Sequence, residues 1–279
     1  MPYEPHPSVT TPEDHEAKIW RYMGLSQFMS LVERESLFFN RSDKFEDPFE
    51  GEYPPANFEN RDEIVSETKK RGEKLEELTS YWSPGLTQAV VDSVKSGPVL
   101  DDFEYSREMF FLNCWHMNEY ESAAMWDVYS DSDAGIAVQS TVRSMISAFE
   151  KSDYLVRIGE VKYIDYQDTS IPEDNMYHRF LHKRKSFEHE KELRAIIDDL
   201  PTTGEVEYDE EVQAPARRIN WDDLDDGKYV SVDIESLIET IYLSPTSPGW
   251  MKDLLQSICS SYNLDFEVIQ SDLYDDPVR

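Results

Sequence analysis

The residues best suited to chemistry lie in one short stretch, Tyr177 to Arg194 (YHRFLHKRKSFEHEKELR). Glu188, Glu190 and Glu192 occupy alternate positions. A segment extended from Phe187 would turn all three to one face, with His189, Lys191 and Leu193 on the other. Side-by-side carboxylates repel unless cations or a ligand face them, so Glu190 and Glu192 are the chain's best candidates for a catalytic carboxylate. A solvent-facing edge strand is the plain alternative. The stretch also holds six of the chain's 27 basic residues, Arg179, Lys183, Arg184, Lys185, Lys191 and Arg194, and three of its six histidines, His178, His182 and His189. Two readings fit this concentration: an anion site, with Lys183 and Arg184 on the phosphates of a nucleotide, or an internal clamp pairing neighbouring carboxylates. His178 and His182 stand four apart, as two ligands of one metal would on a helix. No HExxH-type context accompanies them, so solvated helix histidines are the plainer reading and no metal is expected.

A second group lies in Glu121 to Tyr129 (ESAAMWDVY), where helical spacing puts Ser122, Trp126 and Tyr129 on one face with Met125 adjacent. Core packing is the default for such a face. A hydroxyl beside large rings would also hold a flat heteroaromatic ligand, by hydrogen bond and stacking. A third pattern, Glu160-Val161-Lys162 with Asp153 upstream, has the residue types of a metal-dependent nuclease: carboxylates for Mg²⁺ and a lysine to steer water. Finally, Asp43, Glu46, Asp47 and Glu50 make an early loop acidic. They would form a cation or ribose-hydroxyl site, a turn fixed by Asp47-Pro48 with Glu50 solvated, or a pairing with the basic stretch. The pairing is favoured.

The elements that must position these groups alternate in type. Residues 1–17, Pro-rich and polar, read as a flexible arm. A helix capped by Ser26 follows, with Phe28, Leu31 and Val32 on its apolar face, and then a short buried strand at Leu37-Phe38-Phe39. Residues 54–108 read as a helical insertion. Beyond it come a strand at Met109–Trp115, a helix at Glu119–Tyr129, a strand at Ile136–Gln139, a helix at Thr141–Phe149, a strand at Leu155–Tyr163, a helix at Asn175–Arg184 and a strand at Glu190–Ile197. Residues 198–226 hold 11 acidic side chains and read as a solvated excursion. The chain ends strand (Lys228–Val232), strand (Ile238–Leu243), helix (Trp250–Tyr262), strand (Phe266–Ile269). The order predicts one α+β domain over 18–279: a mixed, largely antiparallel sheet with flanking helices.

Several segments together resemble domain-of-unknown-function family 2971. They are Trp20-Arg21-Tyr22-Met23, Arg41 through Gly51 (RSDKFEDPFEG), Asn113-Cys114-Trp115-His116, Glu121-Ser122 with Met125 to Tyr129, and Gly135-Ile136-Ala137-Val138. Val161-Lys162-Tyr163, Phe187 to Arg194 and Leu237 to Pro245 complete the set. That resemblance brings no activity with it. The order of motifs also resembles the ADP-ribosyltransferases, and this resemblance implies their fold and NAD as substrate. It implies Arg21 and Tyr22 at the ribose-holding position, Ser122 and Tyr129 (or Trp126) around nicotinamide, and Glu190 or Glu192 as the carboxylate that stabilises an oxocarbenium-like transition state. Arg21, with the basic stretch, would carry the pyrophosphate. The competing expectations are the nuclease and a non-catalytic nucleotide- or partner-binding module.

Charge sets the outer limits. The 279 residues include 58 acidic and 27 basic side chains, a formal charge of -31. Such a surface repels polyanions, which argues against non-specific nucleic-acid binding and against docking on anionic membranes. With 39% hydrophobic and 13% aromatic residues the chain is too apolar for disorder. Acidic surfaces of this kind suit a high-salt cytoplasm, where screening relieves self-repulsion. Cys114 and Cys259 make neither a disulfide framework nor a metal knuckle and fit a reducing compartment. The opening residues lack a basic, then apolar leader, so no signal peptide is expected.

Overall fold

The computed structural model describes residues 3, 5–57, 107–129, 135–199, 202–209, 214–219 and 224–275. The chain is α+β, built on a nine-stranded mixed sheet whose pairings are antiparallel except for one. β1 (Lys18–Gly24) leads into α1 (Leu25–Arg34) and β2 (Ser36–Arg41). The helix forms where expected, burying Phe28, Leu31 and Val32, but it opens at Gly24, whose N–H donates to the Gln27 side chain, and not at Ser26. β3 (Phe110–Met117), α2 (Ala123–Tyr129), β4 (Gly135–Thr141) and α3 (Val142–Ala148) follow. Thr141 caps α3 by accepting the Ser144 N–H. The expected strand at Leu155–Tyr163 is split into β5 (Arg157–Glu160) and β6 (Lys162–Ile164).

The next stretch departs most from expectation. The helix predicted over Asn175–Arg184 shrinks to α4 (Tyr177–Phe180), and His182 already opens β7 (His182–Arg184), which pairs with β6. Lys185–Glu190 is a 3-10 turn, not an extended strand, and Lys191 takes φ 41 before β8 (Glu192–Asp198) begins. The alternation expected from Phe187 therefore does not exist. β9 (Thr202–Asp209) and β10 (Ala214–Ile219) form an antiparallel pair within the predicted excursion. The chain closes with β11 (Gly227–Ser231), α5 (Ile234–Leu237), β12 (Thr240–Leu243), α6 (Trp250–Ser261) and β13 (Glu267–Gln270).

The sheet runs β11-β2-β3-β1-β4-β12-β13, with β8 on the other edge of β3 and β5 on β8. Both β2 and β1 pair with β3, β2 through Leu112 and Phe111 and β1 through His116 and Met117, so the sheet forks between them. One face carries the main core: Ile19, Phe111, Trp115, Val138 and Ile197 under α1, α3, α5 and α6. The opposite face is mixed and holds the candidate site.

The predicted arm is instead docked on the core. Val9 and His6 are buried, Tyr3 bridges Val156, and the Thr11 hydroxyl donates to the Ile158 carbonyl at 2.7 Å. Its apolar residues and backbone groups complete the edge of β5, which composition alone does not reveal. Most of the insertion expected at 54–108 lies outside the described residues. Among the described residues no helix is long and apolar enough to cross a membrane.

Candidate functional site

The second sheet face is assembled by register. Trp20 pairs with His116, and His116 with Glu192, so side chains from three adjacent strands share that face. Cys114 pairs with Arg194 one step further along. Strand alternation puts Trp115 in the main core and Cys114 and His116 opposite.

Around β8 the face is ionic. Arg194, fully buried, makes a two-pronged contact with Glu50, at 2.6 and 2.9 Å, and its Nε donates to Glu192 at 2.6 Å. Lys183 donates to Glu192 at 2.7 Å and to Glu190, and lies 4.7 Å from the Phe187 ring. The Tyr163 hydroxyl accepts the Glu192 N–H at 2.8 Å, fixing the start of β8. Glu50 reaches Arg194 because the acidic loop turns back at Gly51. That residue has φ +70, and a Cβ there would sit 2.5 Å from the Phe180 ring. Further out, Arg184 pairs with Asp47 at 2.7 Å and stacks over Phe49. The favoured expectation, that the acidic loop pairs with the basic stretch, holds for Asp47 with Arg184 and Glu50 with Arg194, whereas Asp43 pairs with Arg41 and Lys183 faces Glu190 and Glu192.

Burial sets the protonation states. Glu190 is raised to about 7 by burial and by its hydrogen bond and charge contact with Glu192, against the pull of Lys183. Glu192 is held well below the usual carboxylate range: burial opposes ionisation, but Arg194 and Lys183 outweigh it. The two carboxyls titrate as a coupled pair, in which the last proton is favoured on Glu190 below about pH 7. Burial works against charge on Lys183 too, yet Glu192 and Glu190 push its pKa up. Burial raises the Cys114 thiol, which disfavours its thiolate at neutral pH.

Toward β1 the face turns aromatic. The Tyr22 ring meets Trp126 edge-on at 4.9 Å and lies 6.5 Å from Trp20, which in turn meets Tyr242 at 5.0 Å. The Tyr22 hydroxyl accepts the Ser122 N–H at 2.8 Å, and Trp126 donates to Glu121 at 2.9 Å. Ser122 caps α2: its hydroxyl oxygen accepts from Met125 N–H, and its carbonyl from Trp126 N–H. The backbone of α2 ends at Tyr129, whose side chain lies outside the described residues.

His116 joins the halves. Its ring is 6.2 Å from Tyr22, and its Nδ1 bonds the Glu190 carbonyl at 2.7 Å. A carbonyl only accepts, so Nδ1 carries the proton. Tyr22, Ser122 and Trp126 thus form one group, Lys183, Glu190 and Glu192 a second, with His116 between them. Arg184 lies beyond Phe187, 5.2 Å from that ring. Arg21 donates to the Cys114 carbonyl at 2.6 Å, where β1 parts from β3, and so patches the fork.

Other sequence candidates find different settings. His178 lies on α4 and bonds Asp174, whereas His182 is buried on β7 and bonds the His178 carbonyl; they are not solvated neighbours on one helix. The two residues serve separate elements, because the helix ends before His182. Glu160 closes β5 and Lys162 opens β6, with Val161 buried between. His116, which carries the junction, has no role in the sequence reading. Its signal was the alternation of Cys114 and His116 with the apolar Trp115. Comparison of the chain with protein-family models, with curated proteins and with solved structures finds no match.

Proposed function

We propose that the protein is an NAD-consuming enzyme of the ADP-ribosyltransferase type, with Glu190 as the catalytic carboxylate and the Tyr22–Trp126 group beside the leaving nicotinamide. The observation that supports this reading is the charge balance of the buried cluster. Lys183 and Arg194 carry two positive charges, and Glu50 and Glu192 two negative ones, so the cluster is neutral while Glu190 holds its proton. Ionising Glu190 leaves one uncompensated negative charge in a largely water-excluded setting. That is the complement of the cationic, oxocarbenium-like carbon that forms as the ribose–nicotinamide bond breaks. Nicotinamide would leave with the bonding electron pair, and an acceptor nucleophile would bond to the same carbon as it lost its proton.

Incubation with NAD at high salt tests this directly. Nicotinamide release is expected, and Glu190→Gln is expected to lower it by about 10²–10⁴-fold. Release unchanged in Glu190→Gln would remove the assignment. The pairing of Lys183, Arg184 and Arg194 with carboxylates favours a second reading, a non-catalytic module whose ion cluster is purely structural. Ligand-induced stabilisation by NAD without turnover would select it. High salt is chosen because the charge of -31 supports a salt-adapted cytoplasmic protein, for which melting temperature should rise from dilute to multimolar KCl.

A further inference from the structure

His116 Nε2 is buried and, among the described residues, has no hydrogen-bond partner. The residue is 3% exposed, and leaving a buried acceptor unsatisfied is unfavourable. Its state is fixed from the other side of the ring, because Nδ1 must donate to the Glu190 carbonyl. Nε2 therefore presents a lone pair and accepts only. Burial also lowers the ring's pKa, which keeps it neutral. The ring stands between Glu190, the carboxylate with the most exposed side chain in the cluster at 25%, and the edge of the Tyr22 aromatic group. Among the described residues, nothing uses this acceptor.

We propose that His116 is a specificity-determining residue whose Nε2 accepts a hydrogen bond from a planar N–H donor of the substrate, a primary carboxamide, entering beside Glu190. The inference rests on the functional reading above and deepens it: on that reading the donor is the carboxamide of the leaving group. The Tyr22 ring beside His116, itself packed edge-on against Trp126, suits a planar amide on an aromatic ring, and a site with a buried acceptor rejects an analogue that cannot donate.

The test uses the full chain, labelled with ¹⁵N at histidine, and two probes. Benzamide carries the N–H donor, and N,N-dimethylbenzamide has the same ring without it. Saturation with benzamide should move the His116 Nε2 resonance toward the hydrogen-bonded position, and the dimethyl analogue should leave it in place. His116→Asn retains a donor near the Nδ1 position but has no acceptor at Nε2, and should bind benzamide about tenfold or more weakly. A resonance that answers both probes or neither overturns the inference, as does benzamide binding unchanged in His116→Asn. NAD turnover separates the two claims. If benzamide moves the resonance selectively but the wild-type chain releases no nicotinamide from NAD, the functional reading fails and the His116 assignment stands. If nicotinamide is released while the resonance ignores benzamide, the reverse holds.

Discussion

The two halves of the site face are built from opposite materials on neighbouring strands. Around β8, Glu50, Glu192, Lys183 and Arg194 are buried ions that answer one another almost completely. Around β1, Trp20, Tyr22, Trp126 and Tyr242 are rings in edge and stacked contact, with the polar tips of Trp20, Tyr22 and Trp126 tied to backbone or to a single carboxylate. The ionic half is rigid by mutual need: remove one ion and another is stranded in low dielectric. The aromatic half tolerates trimming because its contacts are many and individually weak. The groups left least matched lie where the halves meet: Glu190, raised to about 7, and the His116 Nε2, which has no partner among the described residues.

The largest effect should come from breaking the ionic half. Arg194→Met leaves Glu50 buried without its guanidinium and Glu192 with Lys183 alone, and should cost about 3–5 kcal/mol in urea unfolding. Pairing that change with Glu50→Leu should recover part of the loss, since both partners of the innermost contact are then gone. If Arg194→Met alone costs under about 1 kcal/mol, the cluster is not the keystone described.

The next effect concerns the junction and is read by pH. Burial and Glu192 raise Glu190 to about 7 against the pull of Lys183, while His116 holds its carbonyl and Tyr163 the N–H of Glu192. If the ionised form acts, kcat/KM should fall about tenfold per pH unit below that value and be flat above it. Stability runs the other way. A carboxyl raised in the folded state favours folding fully below its unfolded pKa of about 4.3, and loses that contribution as pH rises through about 7. Activity therefore gains as this contribution fades. A rate profile that rises toward acid would show that Glu190 works as a protonated acid.

How much of this was legible beforehand differs between the halves for a physical reason. Strands such as β3 and β4, and the α1 face of Phe28, Leu31 and Val32, announce themselves through local period and apolar content. The acidic loop's pairing with the basic stretch was also within reach, because unlike charge blocks in an acidic chain need partners. The path by which Glu190 and Glu192 converge was not. It depends on a 3-10 turn and a left-handed Lys191 that bring both carboxylates onto one lysine, where the sequence suggests simple alternation. The fork that occupies Arg21, and the shortened α4 that separates His178 from His182, likewise follow from tertiary pairing and not from local preference.

A smaller effect probes the aromatic half. Tyr22→Phe keeps the ring against Trp126 but removes the oxygen that accepts the Ser122 N–H at the start of α2. The expected cost is about 1–2 kcal/mol, that of a partly buried donor left without its partner. The ring contacts should survive, so tryptophan fluorescence should stay native-like. A loss as large as that of Arg194→Met would mean that the aromatic half is as brittle as the ionic one.

The smallest expected effect lies at the rim, between Asp47 and Arg184. Their contact at 2.7 Å resembles the inner ion pairs in length, but the Arg184 side chain is 33% exposed, against 0% for Arg194. Water screens the outer pair, and the planar guanidinium already gains from stacking over Phe49. A double-mutant cycle with Asp47→Ala and Arg184→Ala should therefore give a coupling of only about 0.2–1 kcal/mol, shrinking as salt rises. The same cycle at Glu50 and Arg194 should give several times more and respond little to salt, because no counter-ion reaches a buried pair. Equal couplings, or equal salt dependence, would mean that burial does not distinguish the pairs. The ionic half would then be a surface lattice, and the raised pKa of Glu190 would lose its physical cause.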